Sequence, residues 1–225
     1  MLKSALMFAS FTAVLFTTHL ASAKEIPVQG RLYLGMLSVD PKNTNDTLAS
    51  EGLKKFEQVN RMGIDITYPL YKYLDVGMRY TKRLGEVEED PASSATDYKA
   101  RIDQDSIMFL ARVPFYQTDI IKLDAFAGVG GSNTTMTVKT GSIDGEYTRK
   151  ESNDWVATPI AAAGMSFAIG YKQFFFVVEG GFETNKVDSL KRSGTTNASI
   201  DTLDLSGSYF SVGLLFDGVP GTVGK

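Results

Sequence analysis

Cysteine is absent from all 225 residues, so neither a disulfide nor a lipid-modified cysteine can fasten this chain. Histidine is nearly absent, and the single one, His19, falls in an N-terminal segment that reads as a cleavable leader. That segment carries one basic residue, Lys3, then an apolar run over 5–16, then the small-residue site Ala21-Ser22-Ala23. These are the three parts of a secretory signal peptide, and the run is shorter than the roughly 18 to 20 residues of a spanning helix. The expectation is a signal peptide over 1–23 and a single domain over 24–225. Without His19 the remaining chain offers no histidine for general acid–base work and no thiolate nucleophile. No catalytic, cofactor-binding or metal site is expected, and the chain does not read as an enzyme.

Charge of one sign is also lacking. The net charge is −3 with no basic block, which speaks against a nucleic-acid partner. Long hydrophobic runs are missing after the leader. The nearest, 156–170, is broken by Pro159, Gly164 and Ser166. A crossing by helix is thereby excluded for this part of the chain, and any crossing must use a closed barrel.

What is present is Gly, Thr, Phe and Tyr in alternating patterns. Over 61–70, Met62, Ile64, Ile66, Tyr68 and Leu70 alternate with Arg61, Gly63, Asp65, Thr67 and Pro69. After Tyr71-Lys72-Tyr73 the pattern resumes, with Leu74, Val76, Met78 and Tyr80 against Asp75, Gly77, Arg79 and Thr81. Two such runs at this spacing predict a hairpin. Six further segments alternate in the same way, led by Leu32, Ile107, Ile121, Trp155, Phe174 and Phe210, for eight candidate strands. In the one led by Trp155, Pro159 removes a ladder hydrogen bond and predicts a bulge or a late start.

A soluble lipocalin-type barrel alternates too, with its apolar face inside. Residue size separates the cases: the polar face here is mostly Gly, Ser and Thr with a few charges, as a narrow lumen demands, and the apolar face carries large aliphatics. Aromatics gather at three tight turns: Tyr68, Tyr71 and Tyr73; Phe115 and Tyr116; Tyr171, Phe174 and Phe175. Phe216 ends the last strand on the same side. Tyr favours a membrane–water interface because its ring is apolar and its hydroxyl is not. The connections at the other end, 40–58, 84–105, 131–154 and 184–201, are long and polar. Short turns at one end and long loops at the other are the organisation of outer-membrane barrels.

On these strands, turns and loops the chain resembles the small eight-stranded outer-membrane proteins such as OmpX, the OmpA transmembrane domain and OmpW. The resemblance implies an all-β, eight-stranded antiparallel up-and-down transmembrane β-barrel in the outer membrane of a Gram-negative bacterium. It implies as partners the membrane lipid and lipopolysaccharide, the barrel-assembly machinery, and an extracellular ligand held by the loops. In such proteins the last strand ends in an aromatic; here Phe216 is followed by a tail over 217–225.

Charged residues on the polar face form the candidate site: Arg31, Arg61, Arg79, Arg112 and Lys122 with Asp65, Asp75, Asp124, Glu179 and Glu183. Arg83 belongs to the same face, and Arg83 and Glu183 are expected near a rim in water. Unpaired buried charges cost several kcal/mol each, so a nearly neutral set in an eight-stranded lumen is expected to pair and plug it. The function expected is an envelope scaffold that presents its loops for adhesion or recognition; the alternative is a narrow channel for ions or small solutes. Gly128-Val129-Gly130-Gly131 is no phosphate loop, since 133–140 reads as strand rather than helix. Glu86, Glu88, Glu89 and Asp90 read as a solvated acidic loop.

Overall fold

The computed structural model describes residues 28–88, 98–139, 144–148, 158–188, 190–193, 200 and 202–218. The leader and most of the tail, with Glu89, Asp90, Trp155 and Ala157, lie outside the described residues. The elements are β1 (Gln29–Ser38), α1 (Lys42–Ser50), β2 (Gln58–Tyr71), β3 (Leu74–Glu88), β4 (Lys99–Gln117), β5 (Ile121–Lys139), β6 (Asp144–Thr148), β7 (Thr158–Tyr171), β8 (Phe174–Asp188), β9 (Lys191–Ser193), β10 (Thr202–Asp204) and β11 (Gly207–Asp217).

Eight of these strands close into an antiparallel barrel in the order β1-β2-β3-β4-β5-β7-β8-β11. The seam joins β11 to β1 from Gln29↔Asp217 to Leu37↔Tyr209, so the barrel wall has no free edge. Short strands lengthen the wall at the loop end: β6 pairs with β5, β9 with β6, and β10 with β8.

The outward row along the lower wall is apolar and exposed. Leu32, Leu34, Met62, Ile66, Met78, Phe109, Val129, Met165, Phe176 and Leu214 each show at least 41% of their surface. A soluble protein does not leave such a continuous apolar band open, whereas a lipid-facing wall must. At the turn end Tyr71, Tyr73, Phe115, Tyr116, Tyr171 and Phe174 stand exposed in a ring. Phe175 does not belong to that ring. It points inward, 2% exposed, and packs with Ala168, Val177 and Leu215 at the bottom of the lumen. Period two decides this: next to an outward Phe174, its chain neighbour must face in.

The turns are built locally. Thr118 closes the β4–β5 turn, its hydroxyl accepting from the Ile121 amide at 2.9 Å while its own amide donates to the Ile121 carbonyl at 2.8 Å. The β7–β8 turn requires Lys172 at φ 56°, the left-handed region. Register shifts fall at Pro69/Tyr71 and Pro114/Tyr116, where a residue without an N–H interrupts the ladder near a turn. Pro159 causes no bulge. β7 starts one residue before it, in register with Gly131 of β5, and pairing to β8 begins only at Ile160, which is the late start.

The loop end departs from expectation. Much of 84–105, 131–154 and 184–201 is strand, and 40–58 contains a helix; the staves rise well past the apolar band. The reason is an inversion of the alternation. On β4, Lys99, Arg101, Asp103 and Asp105 face out while Ala100 and Ile102 are fully buried; on β5, Thr135, Thr137 and Lys139 face out while Met136 and Val138 are fully buried. The lower wall is greasy outside and polar inside, and the upper wall is the reverse, as for a barrel standing in water. The upper interior is one apolar cluster, with Leu37, Phe56, Val59, Ile102, Met136 and Val187 among its members. α1 lies against this cluster through Leu48. Its Asn45 side chain bonds both ways to the Phe56 backbone, at 2.8 and 2.9 Å, and Thr44 donates to the Thr202 carbonyl at 2.9 Å.

Candidate functional site in the barrel interior

Inward positions of neighbouring strands place opposite charges side by side. Asp65 and Arg79 are direct partners across β2 and β3, and their side chains form a two-pronged ion pair: Nε to Oδ1 and Nη2 to Oδ2, each 2.7 Å. Arg79 Nη2 also reaches Glu179 Oε2 across the lumen at 2.8 Å. Arg112 binds Asp65, Asp124 at 2.8 Å and Glu179 at 3.1 Å. Arg31 reaches the other oxygen of Asp124 at 2.7 Å and donates to Ser166 at 2.8 Å, while Ser166 donates to Asp124 at 2.8 Å. Tyr209 donates to Glu179 Oε1 at 3.2 Å. Three guanidinium groups and three carboxylates thus form one connected cluster, and none of these residues is more than 4% exposed.

A second, smaller cluster sits toward the loop end. Arg83 pairs with Glu183 at 2.6 Å and donates to Gln104 and Ser106. Gln104 in turn donates to Thr134 at 2.6 Å and accepts from Asn185 at 2.7 Å. Arg83 and Glu183 are each 0% exposed. Their expected rim position is therefore wrong, because the staves continue above them and the apolar cluster covers them.

Two residues of the candidate set do not join the ion pairs described. Arg61 is 1% exposed, and among the described residues its three guanidinium nitrogens have no hydrogen-bond partner. It lies 3.6 Å from the Tyr209 ring centroid and 5.2 Å from that of Tyr33, so two aromatic faces replace a counter-ion. Asp75 is 7% exposed and sits opposite Arg112 across β3 and β4, yet the Arg112 guanidinium is already engaged by three other carboxylates. Lys122 pairs with Asp217 and lies 4.5 Å over the Phe175 ring. Asp217 was assigned to the tail in the sequence reading. Its place as the last paired residue of β11, facing Gln29 across the seam, becomes visible only once the barrel is closed.

Gly128 and Gly130 lie on the inner wall of β5. A Cβ on Gly130 would run into the Ile107 carbonyl, which explains the glycines by crowding. Among the described residues no group of three or more Asp, Glu, His or Cys is placed to hold a metal.

No protein-family model matches the chain, and no curated protein does. Among solved structures it is similar to the outer membrane protein OprG from Pseudomonas aeruginosa, at 12% identity and a TM-score of 0.49, over 87% of this chain and 97% of that one. It is also similar to CarO of Acinetobacter baumannii, at 11% identity and 0.39, over 87% and 100%. A third similarity is to Ail, the attachment invasion locus protein of Yersinia pestis, in complex with the heparin analogue sucrose octasulfate, at 10% identity and 0.42, over 86% and 99%.

Proposed function

We propose that this chain is a non-enzymatic outer-membrane barrel with a plugged, charge-networked interior, an envelope scaffold that holds a rigid cap outside the cell for surface recognition. The observation that carries this reading is the filling of the lumen at three heights. Phe175 and Leu215 occupy the turn end, the Arg79–Asp65–Arg112 cluster occupies the middle, and the Phe56–Ile102–Met136 core occupies the loop end, all of them buried. The exposed apolar band supports the membrane, since a barrel is the only β structure that satisfies every backbone group in lipid. The tight turns then face the periplasm, and the tall staves carry the cap into the medium. A recognition role fits a cap that is packed rather than loose, because side chains on an ordered scaffold bind without first paying to be fixed.

The test is conductance. Purified barrel reconstituted in a planar bilayer should give no stable openings, because moving an ion through the middle cluster means breaking buried pairs. Reproducible, long-lived current steps would instead establish the narrow channel.

A further inference from the structure

We propose that the barrel interior holds one small monovalent anion of the halide class between Arg61 of β2 and Ser211 of β11, just above the middle charge cluster. The inference rests on the sealed lumen of the proposed plug, since only a dry interior makes an unanswered charge costly.

The buried ions sort by height. In the middle, Arg31, Arg79 and Arg112 meet Asp65, Asp124 and Glu179. At the turn end Lys122 meets Asp217. Above the middle, Arg61 and Arg83 are direct partners across β2 and β3, both buried, and the described carboxylate of that layer, Glu183, is spent on Arg83 through Oε2. Its Oε1 has no partner among the described residues, so Glu183 does not bond to Arg61 as well. The carboxylate left over, Asp75, lies eight residues down β3 from Arg83, about 27 Å away, with the middle cluster in between. Two guanidinium groups therefore share one carboxylate, and the layer is one negative charge short.

Hydrogen bonding points to the same place. Tyr209 and Tyr33 answer Arg61 on the flat faces of its guanidinium, but the five N–H donors lie in its plane and none is bonded among the described residues. Arg83 Nε and Ser211 Oγ are buried and unpartnered among the same residues. The register sets Ser211, Gly35 and Arg61 side by side on β11, β1 and β2. The Ser211 hydroxyl lies 2.4 Å from where a Gly35 Cβ would stand, so it leans over Gly35 toward β2. Donors thus converge on a point with a surplus positive charge. A monatomic anion suits it, because it accepts from N–H and O–H groups in any direction and brings no oxygen that needs a donor of its own. A bridging water would satisfy the donors and leave the charge unanswered.

Unfolding of the full barrel by urea in lipid vesicles is followed at constant ionic strength while chloride replaces isethionate, a bulkier anion. Once chloride exceeds its dissociation constant, each tenfold rise should lower the unfolding equilibrium constant about tenfold, the slope of one ion bound by the folded state alone. Arg61→Met should abolish that slope, and Lys186→Ala, at an exposed lysine on β8, should keep it. Parental unfolding that ignores chloride means that water alone answers Arg61 and overturns the site, as does a slope that survives Arg61→Met. Should Arg61→Met not refold, bromide in crystals of the parent decides: an anomalous peak in contact with the Arg61 guanidinium upholds the site, and bromide found only elsewhere overturns it. Bilayer conductance separates this inference from the plug. A silent barrel with chloride-independent unfolding overturns the site and leaves the plug standing, whereas a conducting barrel whose slope depends on Arg61 upholds the site and overturns the plug.

Discussion

Replacing Asp65 with alanine should destabilise the barrel by about 3 to 5 kcal/mol in a denaturant titration in lipid vesicles. Asp65 is fully buried and bonded to both Arg79 and Arg112, so its removal leaves two guanidinium groups side by side on adjacent strands with only Glu179 and Asp124 to balance them. The loss arises from stranded charge rather than from lost volume, and a second substitution separates the two. Asp65→Ala combined with Arg79→Met removes one stranded cation, whose guanidinium carbon lies 4.9 Å from the Tyr33 and Phe126 ring centroids, and leaves an apolar side chain in its place. The pair should therefore be more stable than Asp65→Ala alone, although it has lost more polar contacts. A cost below about 1 kcal/mol for the single change would mean that water already reaches the cluster and screens it.

Ile64→Arg should cost about 2 to 4 kcal/mol in the same titration. Ile64 lies between Leu32 and Tyr80 on the outward row, two pairs above the Tyr68 end of β2 and two below Asn60, near the middle of the apolar band. A guanidinium there has no lumen charge to answer it and must reach for the interface or drag water in. Ile64→Leu keeps the apolar volume and should cost under about 1.5 kcal/mol. If the arginine variant unfolds at the parental midpoint, Ile64 does not face lipid, and the outward row has been assigned to the wrong side.

The lower barrel was legible in the sequence because its wall separates two media one residue apart. Lipid on one side and a cramped polar lumen on the other force large apolar and small or charged residues to alternate, as they do at Met62 through Leu70. The upper barrel was misread for a related reason. Lys99, Arg101, Asp103 and Asp105 look like a polar loop when only their charge is counted, yet Ala100 and Ile102 between them keep the same period. The informative signal there was periodicity with the polarity exchanged. The interior pairs were legible as a set and not as partners. Arg79 and Glu179 are 100 residues apart and meet only because closure sets β3 facing β8. Nothing local distinguishes Arg61, which stacks on Tyr209, from Arg112, which takes three carboxylates. Asp217 was lost to the tail for want of a partner strand, since its place opposite Gln29 depends on the seam.

Adjacent positions on β11 give the sharpest test of a sealed lumen inside a lipid-facing wall, and a chain without cysteine makes that test clean. Ser211 faces inward at 1% exposure, and Val212 faces outward at 38%. In the reconstituted Ser211→Cys variant, a charged water-soluble thiol reagent should fail to react from either side of the membrane until denaturant is added. In Val212→Cys, a fluorophore attached before folding should be quenched by probes dissolved in the acyl chains. Prompt labelling at position 211 by the charged reagent, together with no quenching at 212, would contradict both the plug and the facing of the wall.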